Sequence, residues 1–204
     1  MKPAAQPVAD VDPGTGHEGS VFYPPGGLMV WIFIVLELIT FGAAICIFVF
    51  EGTGEAASYA AARRTLDVPL ATVNTLALLT SGFFAAMGVA AYKEPARRAS
   101  SRWMLGAAAF GTLFVALKLT EYRAKLSAGH GMGSSTFFSF YWVLTGFHLL
   151  HVVLGIAILL YLAVRVRSVK PFESPDLGLE TGVAFWHMCD LIWVMLFPVI
   201  YLVR

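Results

Sequence analysis

The segment LMVWIFIVLELITFGAAICIFVF, residues 28–50, contains a single charged side chain, Glu37. As an α-helix it would be about 35 Å long at about 1.5 Å per residue, slightly longer than the hydrocarbon core of a bilayer, which is about 30 Å thick. A helix satisfies its backbone hydrogen bonds within one segment, as lipid surroundings require. This segment is therefore predicted to cross a membrane.

Four similar segments follow the first. We predict an all-α membrane protein whose five transmembrane helices lie at about 28–50, 68–92, 103–124, 134–166 and 180–203. The composition agrees, because 58% of the 204 residues are hydrophobic and only 13% are charged, against about 25% charged residues in soluble domains. The net charge of +1 lacks the basic excess of a nucleic-acid-binding protein, so no nucleic-acid partner is expected.

Residues 1–26 are rich in Pro, Gly and Ala and show no apolar periodicity, so they are predicted to form a disordered cytoplasmic arm before the five-helix domain, 27–204. Orientation follows from the excess of Lys and Arg on the inner side. Eight basic residues lie on the side of the N-terminus and five on the other: Lys2, Lys93, Arg97, Arg98, Arg102, Arg165, Arg167 and Lys170, against Arg63, Arg64, Arg123, Lys125 and Arg204. The N-terminus is predicted inside and the C-terminus outside.

Ionisable side chains within spans are rare and are usually paired or functional. Counting along each helix predicts two layers. The inner layer, which would join the first and fifth helices, contains Glu37, His187 and Asp190. The outer layer, which would join the third and fourth helices, contains Lys118, Glu121, His148 and His151. The i,i+3 spacing places His187 beside Asp190, His148 beside His151, and Lys118 beside Glu121.

Two interpretations of these groups stay open. The pairs satisfy each other between helices, with Lys118 and Glu121 reaching towards the outer interface, or they carry a function. Glu37 has no partner on its own helix, so it is either protonated or meets another helix or a lipid headgroup. Small residues would allow close helix approach: Gly82, Ala86, Ala90, Gly106 and Gly111.

The chain offers few ligands for a cofactor of its own. Cys46 and Cys189 belong to no CxxC motif, so no disulfide framework, zinc site or iron–sulfur site is expected. His148 and His187 could formally ligate a b-type haem from opposing helices, although their estimated depths differ. Buried carboxylates near histidine also permit a second alternative, a small proton-conducting or transport protein.

Four motifs on four helices resemble subunit III of the haem–copper oxidases. Trp186, His187, Asp190 and Trp193 follow the family pattern of the last helix. Glu37 and Glu121 match its two glutamate-bearing helices. The motifs are WIFIVLELITFG (31–42), ALKLTEY (116–122), TGFHLLHVVLG (145–155) and FWHMCDLIWVMLFPVIYL (185–202). The resemblance covers residues 28–203.

This resemblance implies a V-shaped, non-catalytic accessory subunit with a bound phospholipid in its cleft and no redox centre of its own. It implies packing against a haem-bearing catalytic subunit I-like protein, with haem and copper or iron in that partner, and a role in proton uptake. The expected location is a bacterial inner membrane. The lipid-cleft and structural polar residues would be Glu37, Lys118, Glu121, His148, His151, Trp186, His187 and Asp190.

Two features depart from the mitochondrial type of this family, which has seven spans. Five spans match quinol-oxidase subunit III and also the short proteins found with nitric oxide reductases. Lys118 stands where oxidase versions more often have an uncharged residue. The short loops and the FHLLHVVLG stretch favour the branch associated with nitric oxide reductase.

Overall fold

A computed structural model describes residues 27–92, 97–167 and 175–203, with only the backbone for 175–177. The predicted arm, 1–26, lies outside the described residues. The described residues form helices joined by short turns and contain no strand. Its elements are α1 (Leu28–Gly54), α2 (Ala56–Arg64), α3 (Val68–Tyr92), α4 (Arg97–Ser127), α5 (Thr136–Arg165), α6 (Pro175–Phe197) and a π-helical segment, Pro198–Leu202.

Five helices in the described part of the chain are long and apolar enough to cross a membrane, which confirms the five-span prediction. An odd number of crossings places the two ends of the described chain on opposite sides. Which side is inside stays a prediction. At 31 and 30 residues, α4 and α5 would each be about 45 Å long, so both extend beyond the hydrocarbon core or tilt within it.

α2 is an element that the sequence pattern did not predict. Its nine residues, AASYAAARR, are mostly alanine, the residue with the highest helix propensity. The side chains of Tyr59 and Ala62 are buried, and Tyr59 packs against Phe48 of α1 and Phe137 of α5. α2 therefore folds back over the end of the bundle and closes it between the first and second spans.

Four of the spans form the core of the bundle. α3 packs on α4, α4 on α5 and α5 on α6, and α3 closes the ring against α6. α1 lies outside this ring, against α5 and α6, and buries only four of its residues: Val30, Ile34, Phe41 and Phe48. Most of the surface of α1 therefore faces lipid or another subunit. The V shape stays a prediction.

Small residues set the close approaches between helices. A side chain at Gly111 of α4 or Gly155 of α5 would collide with the indole of Trp186, which lies between them. Gly82 is in contact with Asp190, and Gly106 is in contact with Phe84, as the small-residue pattern predicts.

The rest of the small-residue pattern on α3 is wrong. Ala86 and Ala90 are exposed, and the buried small residues of this helix include Ser81, Ala85 and Gly88. A spacing of four drifts around a helix of 3.6 residues per turn, so the predicted stripe leaves the packed face after one turn.

Serine hydroxyls fasten these close helices through backbone carbonyls. The Ser81 hydroxyl donates to the carbonyl of Ala107 (2.6 Å) and the Ser100 hydroxyl donates to that of Gly88 (2.7 Å), both between α3 and α4. The Ser101 hydroxyl donates to the carbonyl of Ala163 on α5 (2.7 Å). Interhelical hydrogen bonds of this kind stabilise membrane bundles by about 0.6–2 kcal/mol each.

The final span ends in a π-helical segment that begins at Pro198. Proline has no amide hydrogen, so the α-helical bond at this position is missing and the helix widens. The Val203 amide donates to the Pro198 carbonyl (2.9 Å). The wider turn places the Tyr201 hydroxyl inside the bundle, close to α4.

Candidate functional site

The predicted ionisable side chains of the spans, apart from His148, fall into three separate groups. We call Lys118, Glu121, Tyr141 and Tyr201 the ionic cluster, Glu37 with His151 the α1–α5 pair, and His187 with Asp190 the α6 pair. The predicted two layers are therefore partly wrong. Glu37 meets His151, not His187 or Asp190. A count along straight helices ignores the tilt and offset of one helix relative to another.

In the ionic cluster, Lys118 finds an acceptor for each of its three ammonium protons. Its Nζ donates to Glu121 Oε2 (3.0 Å) and to the hydroxyls of Tyr141 (3.2 Å) and Tyr201 (2.6 Å). The other carboxylate oxygen, Glu121 Oε1, accepts from Tyr141 (2.8 Å) and Tyr201 (2.7 Å). Three helical elements, α4, α5 and the π-helical segment, are joined by these bonds.

Lys118 and Glu121 are only 1% and 3% exposed. The prediction that they reach towards the interface is therefore wrong. Aromatic rings also surround the ammonium, with centroids 4.9 Å away at Tyr141 and 5.2 Å away at both Tyr122 and Trp193. Cation–π attraction of this kind contributes about 2 kcal/mol when desolvated. The cluster is a closed, fully compensated ion pair that holds three helices together.

The α1–α5 pair is less complete. His151 Nε2 lies 3.6 Å from Glu37 Oε1, at ion-pair distance but too far for a hydrogen bond. His151 Nδ1 lies 2.9 Å from the Phe147 carbonyl. A carbonyl only accepts, so Nδ1 carries a proton and donates it. Nε2 is then either a free acceptor facing a protonated Glu37, or the second N–H of an imidazolium facing a carboxylate.

The same pair also has unused bonding capacity at the edge of the bundle. The side chains of Glu37 and His151 are 16% and 10% exposed. Glu37 Oε2 has no hydrogen-bond partner among the described residues. Phe41 and Phe147 pack edge-on against the imidazole of His151. The pair therefore has one buried carboxyl oxygen that no described residue uses, on a side chain that is itself partly exposed.

In the α6 pair, His187 faces outwards and Asp190 is buried. His187 Nδ1 lies 3.2 Å from Asp190 Oδ2, and the His187 side chain is 44% exposed in a groove between α3 and α6. The Asp190 carboxylate rests on the backbone of Gly82. Trp186, one position earlier, points the opposite way into the bundle and is fully buried.

His148 does not join its predicted neighbours. Its ring is fully buried, and neither nitrogen has a hydrogen-bond partner among the described residues. It stacks on Trp193 (5.2 Å between centroids) and meets the edges of Phe114 and Phe41. His148 is enclosed by aromatic rings and His187 lies in a surface groove, so they are poorly placed as two ligands of one haem.

In the ranges that the structure describes, no three His, Cys, Asp or Glu side chains come together in a way that could hold a metal ion. Cys46 is exposed and Cys189 is buried, and both are free thiols.

The sequence did not predict Tyr141 and Tyr201 as members of the ionic cluster, because tyrosine is common in membrane-interface belts. The position of Tyr201 relative to Lys118 depends on the π-helical segment, which carries no simple sequence signal apart from Pro198, and that of Tyr141 depends on how α5 packs on α4.

The model of the family described as cytochrome c oxidase subunit III matches residues 27–203. The chain belongs to the cytochrome c oxidase subunit III family. It is 33% identical to cytochrome c oxidase subunit 3 of Thermostichus vulcanus over 86% of this chain and 85% of that protein. It is 27% identical to the probable quinol oxidase subunit 3 of Staphylococcus aureus over 92% of this chain and 91% of that protein.

Membership of the subunit III family confirms the resemblance read from the four motifs. Members of this family are accessory subunits without a redox centre of their own. The chain is thus a multi-pass membrane protein and an accessory subunit of a haem–copper oxidase, in partnership with other oxidase subunits such as subunit I.

Proposed function

We propose that this subunit III family member packs on the haem-bearing catalytic subunit of an oxygen-reducing respiratory complex in a bacterial inner membrane, with its N-terminus inside. The observation that carries this proposal is the family match over residues 27–203. The relatives described above are named as cytochrome c and quinol oxidase subunits, which favours oxygen over nitric oxide as the substrate of the partner. Haem, with copper or iron, would belong to that partner.

Co-purification tests this proposal directly. The tagged chain is solubilised from its native membrane in a mild detergent, and the material that accompanies it is examined by mass spectrometry and by reduced-minus-oxidised spectra. We expect a haem-bearing large subunit that consumes oxygen. Recovery without any haem protein contradicts the whole proposal. A partner that reduces nitric oxide but not oxygen contradicts the proposal that the complex reduces oxygen.

We further propose that Glu37, Lys118, Glu121, His148, His151, Trp186, His187 and Asp190 are the structural and lipid-cleft residues of this subunit. The surface of α1 beside the α1–α5 pair supports a bound phospholipid there. Its apolar side chains are exposed around a carboxyl group that keeps one oxygen without a partner. A headgroup amine or hydroxyl that reaches the partly exposed carboxyl group would supply a donor for it, and the exposed face of α1 would contact the acyl chains.

The same α1–α5 pair supports a role in proton uptake by the complex. His151 and Glu37 can hold one proton between them in two arrangements, because the Nδ1 proton of His151 is fixed by the Phe147 carbonyl. In the assembled complex, Glu37→Gln should reduce the number of turnovers that the oxidase completes before it becomes inactive. Unchanged turnover lifetime and unchanged proton uptake in this variant contradict the proton-uptake role.

Proton conduction by the isolated chain is the second candidate, and the α1–α5 pair is again the feature that favours it. Proteoliposomes containing the chain alone would show a proton flux that Glu37→Gln abolishes. Liposomes that stay proton-tight remove this candidate and leave the accessory role unaffected.

A further inference from the structure

A cavity of about 580 Å³ lies at the end of the bundle opposite the start of α1. It is formed by the end of α2, the following link, the start of α3 and the end of the π-helical segment. Its size falls within the range of about 300–1,000 Å³ that is usual for small-ligand pockets. The lining residues that matter here are Arg63, Arg64, Leu66, Tyr201, Leu202 and Val203.

Two arginines, Arg63 and Arg64, line this cavity, and no Asp or Glu lines it among the residues that the structure describes. Neither Arg63 nor Arg64 has an ion-pair partner among the described residues. The nearby carboxylates of Asp67 and Glu55 each accept a hydrogen bond elsewhere: Asp67 Oδ1 from the Leu70 amide (3.0 Å), and Glu55 Oε1 from the Thr136 hydroxyl (3.0 Å). The charged residues among those that line the cavity are both arginines.

Arg63 is held in position before any ligand arrives. Its guanidinium carbon lies 5.9 Å from the ring centroids of Phe48 and Tyr59, and its Nη2 donates to the Val199 carbonyl (3.3 Å). Its Nε is buried and has no hydrogen-bond partner within the described ranges. Burial lowers the pKa of the Arg63 guanidinium, so an anion that approaches this group would replace the solvation that it has lost.

A third cation, Lys125, lies behind the wall of the cavity. The Lys125 ammonium donates to the Thr65 carbonyl, at the start of the link between α2 and α3. Tyr201 forms part of the lining, and its hydroxyl is bonded to Lys118 and Glu121. The cavity is therefore built on a rigid base that the ionic cluster supports.

We propose that this cavity binds a phosphate group through Arg63 and Arg64. The planar guanidinium matches the geometry of phosphate oxygens and is the usual choice for phosphate recognition. Leu66, Leu202 and Val203 give the rest of the lining an apolar character, which suits the headgroup of an anionic phospholipid with its glycerol and first acyl carbons. The site lies at the opposite end of the bundle from the proposed lipid beside Glu37, and it does not depend on that proposal.

The test uses the oxidase complex that contains this chain, reconstituted in phosphatidylcholine nanodiscs with increasing phosphatidylglycerol. Bound lipid is counted by native mass spectrometry. Arg64→Gln is the main variant, because Arg64 is exposed and makes no bond that folding needs among the described residues. Arg63→Gln is the second variant. Arg123→Gln is the matched control, because Arg123 is an exposed arginine near the C-terminal end of α4 and does not line the cavity.

We expect Arg64→Gln and Arg63→Gln each to weaken phosphatidylglycerol binding by about tenfold, the usual effect of losing one charge-assisted hydrogen bond. Arg123→Gln should leave binding unchanged, and the thermal midpoint of Arg64→Gln should equal that of the wild type. Equal binding by all four proteins, or an equal loss in Arg123→Gln, overturns the proposal.

Two further probes identify the source of the phosphate. Inorganic phosphate that displaces phosphatidylglycerol, or binds in its place in an Arg64-dependent manner, identifies a free phosphate site. Arg64-dependent lipid binding that millimolar inorganic phosphate does not displace identifies a lipid headgroup site. Oleate is anionic but carries no phosphate, so retention of oleate equal to that of phosphatidylglycerol overturns the assignment to phosphate.

Discussion

The ionic cluster and the α1–α5 pair each combine an acid with a base inside the membrane, but they differ in how completely their bonds are satisfied. All three protons of Lys118 and both oxygens of Glu121 have partners, and neither side chain is exposed. Glu37 has an oxygen without a partner, stands 3.6 Å from His151 and reaches the surface. A pair whose hydrogen bonds are all made holds helices together, whereas a pair with a free acceptor can still bind a polar group or exchange a proton.

The position of the two groups in the bundle follows the same division. The ionic cluster connects α4, α5 and the π-helical segment within the ring of four helices. The α1–α5 pair joins this ring to the outlying helix α1. Substitutions in the first group should therefore change stability, and substitutions in the second should change what the protein binds.

The largest effect is expected from Lys118→Met. The variant keeps the length of the side chain but leaves Glu121 without its counter-ion in a buried site. Breaking one side of a buried ion pair costs about 3–5 kcal/mol. The measurement is thermal or denaturant-induced unfolding of the purified complex in mild detergent.

The double variant Lys118→Met with Glu121→Gln is the control for this prediction, because it removes both charges together. It should recover a large part of the lost stability. A single variant as stable as the wild type would mean that Glu121 is protonated and that the cluster is not an ion pair.

Gly82→Ala extends the comparison to the α6 pair. A methyl group at this position would overlap the carboxylate of Asp190 and push it away from His187. Overpacking of this kind usually costs about 1–3 kcal/mol. Gly42→Ala is a matched control, because Gly42 has nothing within 4 Å of the added methyl. Thermal unfolding of the two variants decides the prediction, and equal midpoints would contradict it.

Tyr201→Phe tests whether the cluster is satisfied bond by bond. The variant removes one acceptor from Lys118 and one donor from Glu121. We expect a loss of about 1–2 kcal/mol in unfolding free energy, less than for Lys118→Met, because each partner keeps its other bonds. Tyr161→Phe is the control, since Tyr161 is exposed on α5. If the two phenylalanine variants are equally stable, Tyr201 contributes nothing to the cluster.

The sequence was sufficient for the five spans, because hydropathy alone separates five long apolar segments from their connections. It also identified Lys118 with Glu121 and His187 with Asp190 as pairs, since a spacing of three residues fixes them on one helix face. The same spacing paired His148 with His151 wrongly, because their rings pack against residues of other helices and do not bond to each other.

Contacts between helices could not be obtained in this way. The depth count predicted His187 and Asp190 as the neighbours of Glu37, whereas the structure gives His151. The rotation and offset of each helix are set by close packing, such as that of Trp186 between Gly111 and Gly155. No property of a single segment contains that information. The Arg63 cavity was missed for the same reason, because it forms only when α2 folds back over the bundle.

The smallest effect on stability is expected from Glu37→Gln, and this result would complete the comparison. Glutamine keeps the shape and most of the polarity of glutamate, and the existing pair includes no hydrogen bond that the change would break. We expect a change in unfolding free energy of under about 0.5 kcal/mol, as for substitutions that disrupt no buried network. Glu37→Leu should be equally stable but should retain a different set of phospholipids, because it removes the partly exposed carboxyl group. The measurement is lipid analysis of the purified complex beside its thermal midpoint. A Glu37→Gln variant that unfolds as readily as Lys118→Met would place Glu37 among the groups that fasten helices, and the distinction between the two regions would then be wrong.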